Sequence, residues 1–476
     1  MDHTKIVATI GPASNSPEML RDLAKAGMSI ARLNGSHNSL DWHRETITLI
    51  RRELPDLPIL MDIPGRKIRT TDLPTEPKFG IGGNIILTTN RDADDEGKCP
   101  VNYEFLHEDI SVGATIMADD GTLRFTVTAI EGQDIHCRTE TAGKLRSRKG
   151  INVPGITLRT PLVTDRDREM MGFLTENEVD FVGISFVESA KHVDAIRALR
   201  TREWPRIVSK IENRGGLDRM EEIIRATDAV MIDRGDLSVE TNLESLALFQ
   251  KEILSTAREF SKPVIVATEM LHTMIENPFP TKAEVSDITN AVIDGAAATM
   301  LSGETAVGNN PVAAVQTMRN IAEVTSDYIH QGGIYTVDDV ESGTVDWQQP
   351  MAQAVALLSS QLPISKIVAV TRLGYAAQVV SAQGISQPII AVSDDRNAAR
   401  SFNLFPGTTG VFLDIAFQRD SADHIVGCLH GLWDQGHVSK DDVVLVIALA
   451  YPRSGNRMNH LQIHRIGDLA ETLAWN

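Results

Sequence analysis

In the run RIVSKIEN, Lys210 and Glu212 stand two residues apart at the end of a β-branched segment. On a strand that spacing turns both side chains to one face, so an ammonium and a carboxylate share a site. The next such segment ends in MIDRGDL, which brings Asp236 to a neighbouring strand end and offers the amides of Gly235 and Asp236 at a helix start. Glu212 and Asp236, with waters and substrate oxygens, suit Mg²⁺, a hard cation that seldom takes an all-protein cage. Singly, each acid also fits a salt-bridged or solvated group; the combination points to a metal.

A second strand end, ARLNGSHN, supplies Arg32, Asn34, Ser36 and His37, where a guanidinium beside small polar groups can hold a phosphate bidentately. The same stretch also reads as a structural loop. A third end carries Asp62, and MDIPGRKIRT adds Lys67 and Arg69. Positive charge gathered at three strand ends of an acidic chain predicts an anionic substrate. Thr268 closes PVIVAT, and Ser302 and Glu304 lie in MLSGET. Such hydroxyls can relay protons through water, or simply cap helices.

Composition narrows the classes. Forty-six Lys and Arg against sixty-four Asp and Glu give a net charge of −18, which repels nucleic-acid backbones and anionic membranes. The three cysteines, Cys99, Cys137 and Cys428, are widely spaced and indicate neither a disulfide framework nor a zinc cluster. No stretch approaches eighteen consecutive apolar residues, so a soluble cytoplasmic protein is expected. There is no G-x-x-x-x-G-K-[ST] phosphate loop and no G-x-G-x-x-G after a strand. Gly80, Gly82 and Gly83 read as a turn. His460 and His464 are four apart but lie in a strand-like run with no acid nearby, unlike an HExxH metal helix.

The elements that position these residues follow a repeated strand–helix pattern. Eight apolar runs stand out: 5–10, 28–33, 59–63, 181–186, 207–210, 229–233, 264–268 and 299–302. Most lack alternation, as strands buried on both faces should. Between the first two, SPEMLRDLAKAG reads as a helix capped by Ser16, with Leu20, Leu23 and Ala24 as its buried stripe and Gly27 as its stop. Eight such units close most economically into a TIM (β/α)8 barrel, with chemistry at the C-terminal ends of the strands.

One connection is too long for a single helix. Residues 71–163 contain alternating runs such as TLRFTVTAI and the turn Asp119-Asp120-Gly121, and read as an inserted β domain on the catalytic side that could act as a lid. After a helix over 313–329 comes a Gly-rich connection, 331–343, and then an open α/β sheet. The expected division is barrel over 1–70 and 164–335, inserted β (lid) domain over 71–163, and C-terminal α/β domain over 345–476.

These motifs resemble the pyruvate kinase family. TKIVATIGPAS, AGMSIARLNGSH, the inserted-domain DDG, KGINVPG, VSKIENRGG, RGDL, ATEML and MLSGETAVG occur in that family's order. The resemblance implies the same three-part architecture and transfer of the phosphoryl group of phosphoenolpyruvate to ADP, with Mg²⁺ or Mn²⁺. It implies that Lys210 faces the transferring phosphoryl group, that Glu212 and Asp236 hold the divalent ion, and that Arg32 neutralises phosphate. The Gly235 and Asp236 amides would receive the substrate carboxylate, while Thr268 and Ser302 assist protonation of the enolate. Pro12, His37, Trp42, Arg69 and Arg166 fall at positions associated with ADP, Arg166 replacing a usual Lys. A homotetramer is also implied.

Departures from the family pattern carry expectations of their own. Where the family commonly reads DTKGPEIRT, this chain reads DIPGRKIRT, so Lys67 replaces a Glu that usually accompanies K⁺. A tethered ammonium in that place implies that K⁺ is not required, although Asn34, Ser36 and Asp62 remain as potential monovalent-cation ligands. Asp233 and Glu269 replace a small residue and a Gln, adding negative charge beside an anion site. The family's T-E-S-G-R loop appears as Thr371-Arg372-Leu373-Gly374-Tyr375, which argues against sugar-bisphosphate activation. Two other readings fit the scaffold: a Mg²⁺-dependent enolate-stabilising enzyme (a 2-oxo acid lyase or decarboxylase, or a kinase for a phosphoenolpyruvate relative), and a catalytically silent metabolite-binding regulator.

Overall fold

The computed structural model describes residues 3–73, 75–90, 97–119, 121–156, 159–333, 348–418, 421–449 and 458–475. Eight parallel strands close a barrel: β1 (Lys5–Thr9), β2 (Ile30–Asn34), β3 (Ile59–Ile63), β4 (Phe181–Ile184), β5 (Arg206–Ile211), β6 (Ala229–Asp233), β7 (Val264–Ala267) and β8 (Ala298–Leu301). Each pairs with its neighbours in chain order, and β8 pairs with β1. The runs read from the sequence are these strands, displaced by a residue or two at some ends.

Burial explains their composition. Residues such as Val7, Ile30, Leu60, Val208 and Met231 fill the barrel interior, while alternate residues such as Ile6, Leu33 and Ile232 pack under the helices. With both faces covered, no polar alternation is needed. The first helix, Pro17–Ala26, is capped by the Ser16 hydroxyl, which accepts from the Met19 amide, and Gly27 ends it at φ 121°. Leu20, Leu23 and Ala26 are its buried residues; Ala24 is only half-buried.

Between β3 and β4 the chain builds a seven-stranded sheet ordered Ile68–Arg69, Gly150–Asn152, Thr115–Ala118, Leu123–Glu131, Asp134–Thr139, Asn84–Thr88, Lys98–Pro100. Leu123, Phe125 and Val127 point inward and Arg124 outward, the alternation of a sheet with one wet face. Its first two strands, Ile68–Arg69 and Gly150–Asn152, are the segments that leave and re-enter the barrel, so the sheet hangs from the barrel mouth by a paired ribbon. Asp119 and Gly121 flank the turn at its tip with positive φ; Asp120 lies outside the described residues. Gly80 to Gly83 form a turn, as read.

Most of the Gly-rich connection lies outside the described residues. Beyond it, a five-stranded sheet runs Thr408–Phe412, Ile389–Ser393, Lys366–Val370, Val443–Ala448, His460–Arg465, parallel except for the last strand. Leu404 from this part completes the barrel's interior layer, and Lys5 Nζ donates to Thr408 O at 2.8 Å. No helix among the described residues is long and apolar enough to cross a membrane.

Candidate active site

The barrel's C-terminal rim gathers five charged side chains into one buried cluster. Lys210, on β5, places its ammonium 2.9 Å from Glu212 Oε2 and 2.9 Å from Asp233 Oδ2. Glu212 follows β5 directly and is fully buried, and Oε1 accepts the Phe186 amide at 2.7 Å. Asp233 ends β6, and Asp236 sits one turn into the helix Arg234–Glu240. Lys67 Nζ pairs with the Asp236 carboxylate.

Burial opposes the Lys210 charge, but the pull of Asp233, Glu212, Asp62 and Asp236 outweighs it and holds its pKa well above the ordinary lysine value. Burial also pushes Glu212 and Asp233 upward. For Asp233, Lys210 with Arg32 and Lys67 reverses that push and draws the carboxyl down. For Glu212 it is not reversed: burial dominates, Lys210 counters it, Asp233 and Asp236 add to it, and its pKa is raised.

One carboxylate oxygen from each of Glu212, Asp233 and Asp236 lies within 4.8 Å of the other two. This is the one such group of three metal-ligating side chains among the described residues. The oxygen donors suit a hard divalent ion, and the buried Glu212 Oε2 has the Lys210 ammonium, which it shares with Asp233, as its cationic partner. The residues therefore fit Mg²⁺ or Mn²⁺.

Next to this cluster, Arg32 on β2 lies flat against Asp62 on β3, donating from Nε at 3.1 Å and Nη2 at 2.6 Å to Oδ2, while Nη1 donates to Thr9 Oγ1 at 3.1 Å. Gly183 on β4 makes room for this pair: a Cβ there would stand 2.1 Å from Asp62 Oδ1. Asn34 is opposite Asp62 in register, but its Oδ1 accepts the Ser36 amide at 3.1 Å and Ser36 is exposed. Asp62 Oδ2 is turned to Arg32, whereas its Oδ1 is buried with no hydrogen-bond partner. The Lys67 ammonium is against Asp236.

The hydroxyls occupy two further strand ends. Thr268, at φ 68°, accepts the Gly235 amide at 2.8 Å and donates to Ala267 O at 2.6 Å. Ser302 Oγ is buried with no hydrogen-bond partner, and Glu304 accepts from the Ser302 and Leu271 amides. Glu269, expected to add charge to the pocket, is exposed and outside the carboxylate group, because positive φ at both Thr268 and Glu269 turns the chain outward.

The residues associated with a nucleotide are less tightly gathered. His37, Arg69 and Arg32 are close enough that, after burial, Arg69 and Arg32 depress the His37 pKa. Pro12 is exposed in the turn after β1. Trp42 packs partly buried on the barrel core, edge-on to His43 at 5.1 Å. Arg166, on the helix Asp165–Glu176, is paired with Glu169 at 2.5 Å and half-exposed.

Sequence reasoning left three contributors outside its candidate set. Ser185, just past β4, lies 3.5 Å from Lys210 Nζ and donates to Ile63 O. Asn152 of the inserted sheet donates to Glu240 Oε1 at 2.7 Å. Thr9 supports Arg32. Ser185 and Thr9 were findable as the polar residues ending strands of a barrel; the Asn152 contact has no local signal.

Comparison with known proteins agrees with this architecture. The family model described as pyruvate kinase, barrel domain, matches residues 1–315, and that described as pyruvate kinase, alpha/beta domain, matches residues 349–464. A protein named pyruvate kinase from Clostridium perfringens is 36% identical over 479 residues, covering 98% of this chain and 100% of the relative. Pyruvate kinases from Bacillus licheniformis and Sporosarcina psychrophila are 36% and 35% identical, each alignment covering 98% of this chain and 81% of the relative. On fold, on motif order and on full-length similarity, the chain belongs to the pyruvate kinase family and is a phosphotransferase.

Proposed function

We propose that the protein transfers the phosphoryl group of phosphoenolpyruvate to ADP, giving pyruvate and ATP, with Mg²⁺ or Mn²⁺ and without a requirement for K⁺. The observation that carries this reading is the Lys210 ammonium, buried at the rim of the barrel and paired with Glu212 and Asp233, with the Arg32 guanidinium close enough to act on Asp233. Phosphoryl transfer asks little covalent chemistry of a protein and much positioned positive charge in a dry site.

In this reading Lys210 lies beside the migrating phosphoryl group and the developing enolate oxygen. Arg32, held flat by Asp62 and Thr9, presents its remaining donor edge to phosphate oxygens. The Gly235 amide, donated to Thr268 in the free protein, passes to the substrate carboxylate and releases that hydroxyl. Thr268 and the unpartnered Ser302 hydroxyl then move a proton to the enolate carbon through water. Glu212 and Asp236 would hold the divalent ion, which would supply positive charge to neutralise an anionic substrate.

Pro12, His37, Trp42, Arg69 and Arg166 take the nucleotide, and Arg166 must leave Glu169 to do so. The sheet between β3 and β4 acts as a lid and excludes water. The natural form is a cytoplasmic homotetramer.

The test is a coupled assay with phosphoenolpyruvate, ADP and Mg²⁺ at zero and added K⁺, on the wild type and Lys210→Met. Pyruvate formation that needs ADP and drops by about 10²–10³ or more in the variant is expected. ADP-independent loss of phosphate would transfer the site to the enolate-stabilising reading, and binding without turnover to the silent regulator.

A further inference from the structure

Asp233 ends β6 and occupies the N-cap position of the helix Arg234–Glu240, where an Asp ordinarily turns its carboxylate back onto the helix amides. Here it makes no capping hydrogen bond. Oδ2 goes instead to Lys210 at 2.9 Å, and the side chain stays almost wholly buried among charges. A favourable local use of the residue is given up for a place in the cluster.

Charge accounts for what that place is. With all three acids ionised, Glu212, Asp233 and Asp236 contribute three negative charges and Lys210 and Lys67 two positive ones, which leaves one excess carboxylate charge in a buried site. Uncompensated buried charge is expensive. The deficit shows at Lys210, whose single ammonium is shared at 2.9 Å between the fully buried Glu212 Oε2 and Asp233 Oδ2. The two ammonium groups share their charge among the three acids.

We propose that Asp233 is a third protein ligand to the divalent cation, so that the free protein binds Mg²⁺ or Mn²⁺ before any substrate is present. This rests on the metal reading of Glu212 and Asp236. The three oxygens lie within 4.8 Å of one another, and one octahedral ion with ligand distances near 2.1 Å would draw them to about 4.2 Å for a trans pair and about 3.0 Å for cis pairs. Loading changes the cluster's excess from −1 to +1, which converts a site that repels anions into one that attracts them. Asp233 thereby sets an order: cation first, anionic substrate second. With an apolar residue in its place, the free cluster would be neutral and the cation would depend more on substrate oxygens.

The measurement is Mn²⁺ binding to the full-length protein without substrate, followed by electron paramagnetic resonance, together with line broadening by ¹⁷O-water to count bound waters. Wild type, Asp233→Asn, Asp233→Ala and Glu212→Gln are compared, each checked for wild-type circular dichroism; should Asp233→Ala misfold, the near-isosteric Asp233→Asn carries the test. Expected results are a Kd raised at least about tenfold in both Asp233 variants and one additional bound water in Asp233→Ala. A Kd within twofold of wild type in the Asp233 variants, with Glu212→Gln weakened, overturns the third ligand and leaves the metal centre standing. A weakened Kd with unchanged water count assigns Asp233 a through-space charge effect and also overturns it. No change in any variant, Glu212→Gln included, removes the metal centre itself.

Discussion

Lys67 and Asp236 form an ion pair across the barrel mouth, joining the turn after β3 to the first turn of the helix that follows β6. Lys67 also lies 5.5 Å from the Phe186 ring centre, and the inserted sheet passes so close over it that a Cβ on Gly150 would stand 2.6 Å from Cε. The ammonium is thus a fixed positive charge in the site, independent of dissolved cations. Lys67→Glu would set a carboxylate against Asp236, and like charges at that range repel. Initial rates at zero K⁺ should fall at least about tenfold in this variant and recover as KCl is added, whereas wild-type rates stay flat across the titration. A wild type that is inactive without K⁺ defeats the proposal.

Arg32 depends on its planar fork. It donates to Asp62 through two nitrogens and to Thr9 through a third. A lysine keeps the charge but cannot reach both partners at once. In Arg32→Lys the KM for phosphoenolpyruvate should rise by about tenfold or more, with a smaller change in the KM for ADP, as steady-state kinetics would show. Equal effects on both would mean that the residue supports the rim generally and not the phosphate.

The barrel was legible because burial on both faces leaves its strands no freedom of pattern, and Ile59–Ile63 and Ala229–Asp233 were read to the residue. The strand Thr408–Phe412 was not, since TTGVF carries a glycine at its centre. That glycine is required: a Cβ on Gly410 would stand 1.8 Å from Ala399 O. Within the site, the two-residue spacing of Lys210 and Glu212 sufficed to bring them together. Asp233 was noticed as an odd charge, but nothing local says that it prefers Lys210 to the helix amides behind it. Glu269 misled for the opposite reason, because backbone conformation, invisible in composition, turns it to solvent.

Asp180 offers a test of how the C-terminal part is fastened to the barrel. Its side chain is fully buried and accepts from Arg51 at 2.6 Å, from Arg400 at 2.8 Å and from the Ile59 amide at 2.8 Å. Arg51 and Ile59 belong to the barrel, and Arg400 to the helix Arg396–Ser401 beside the five-stranded sheet. Removing the shared acid leaves two guanidinium groups facing each other with their counter-charge gone. Asp180→Ala should cost about 3–5 kcal/mol in urea unfolding. Arg400→Met, which leaves Asp180 its Arg51 partner, should cost less. If Asp180→Ala shifts the urea midpoint no more than Arg400→Met does, the acid is not the shared anchor.

His192, on the helix Ala190–Arg197, gives stability a pH dependence of definite sign. Burial, with Arg66 adding to it, lowers its pKa from 6.5 to about 4, and Nδ1 has no hydrogen-bond partner. The folded protein therefore holds it neutral through a range where the unfolded chain binds a proton. Its contribution is fully present above pH 6.5 and is lost as pH falls toward 4. Between pH 7 and pH 5 the loss from this residue is about 2 kcal/mol. Urea midpoints measured at both pH values should therefore drop further for wild type than for His192→Gln, whose amide does not titrate. Parallel drops in the two proteins would mean that the imidazole reaches solvent and titrates normally in the folded state.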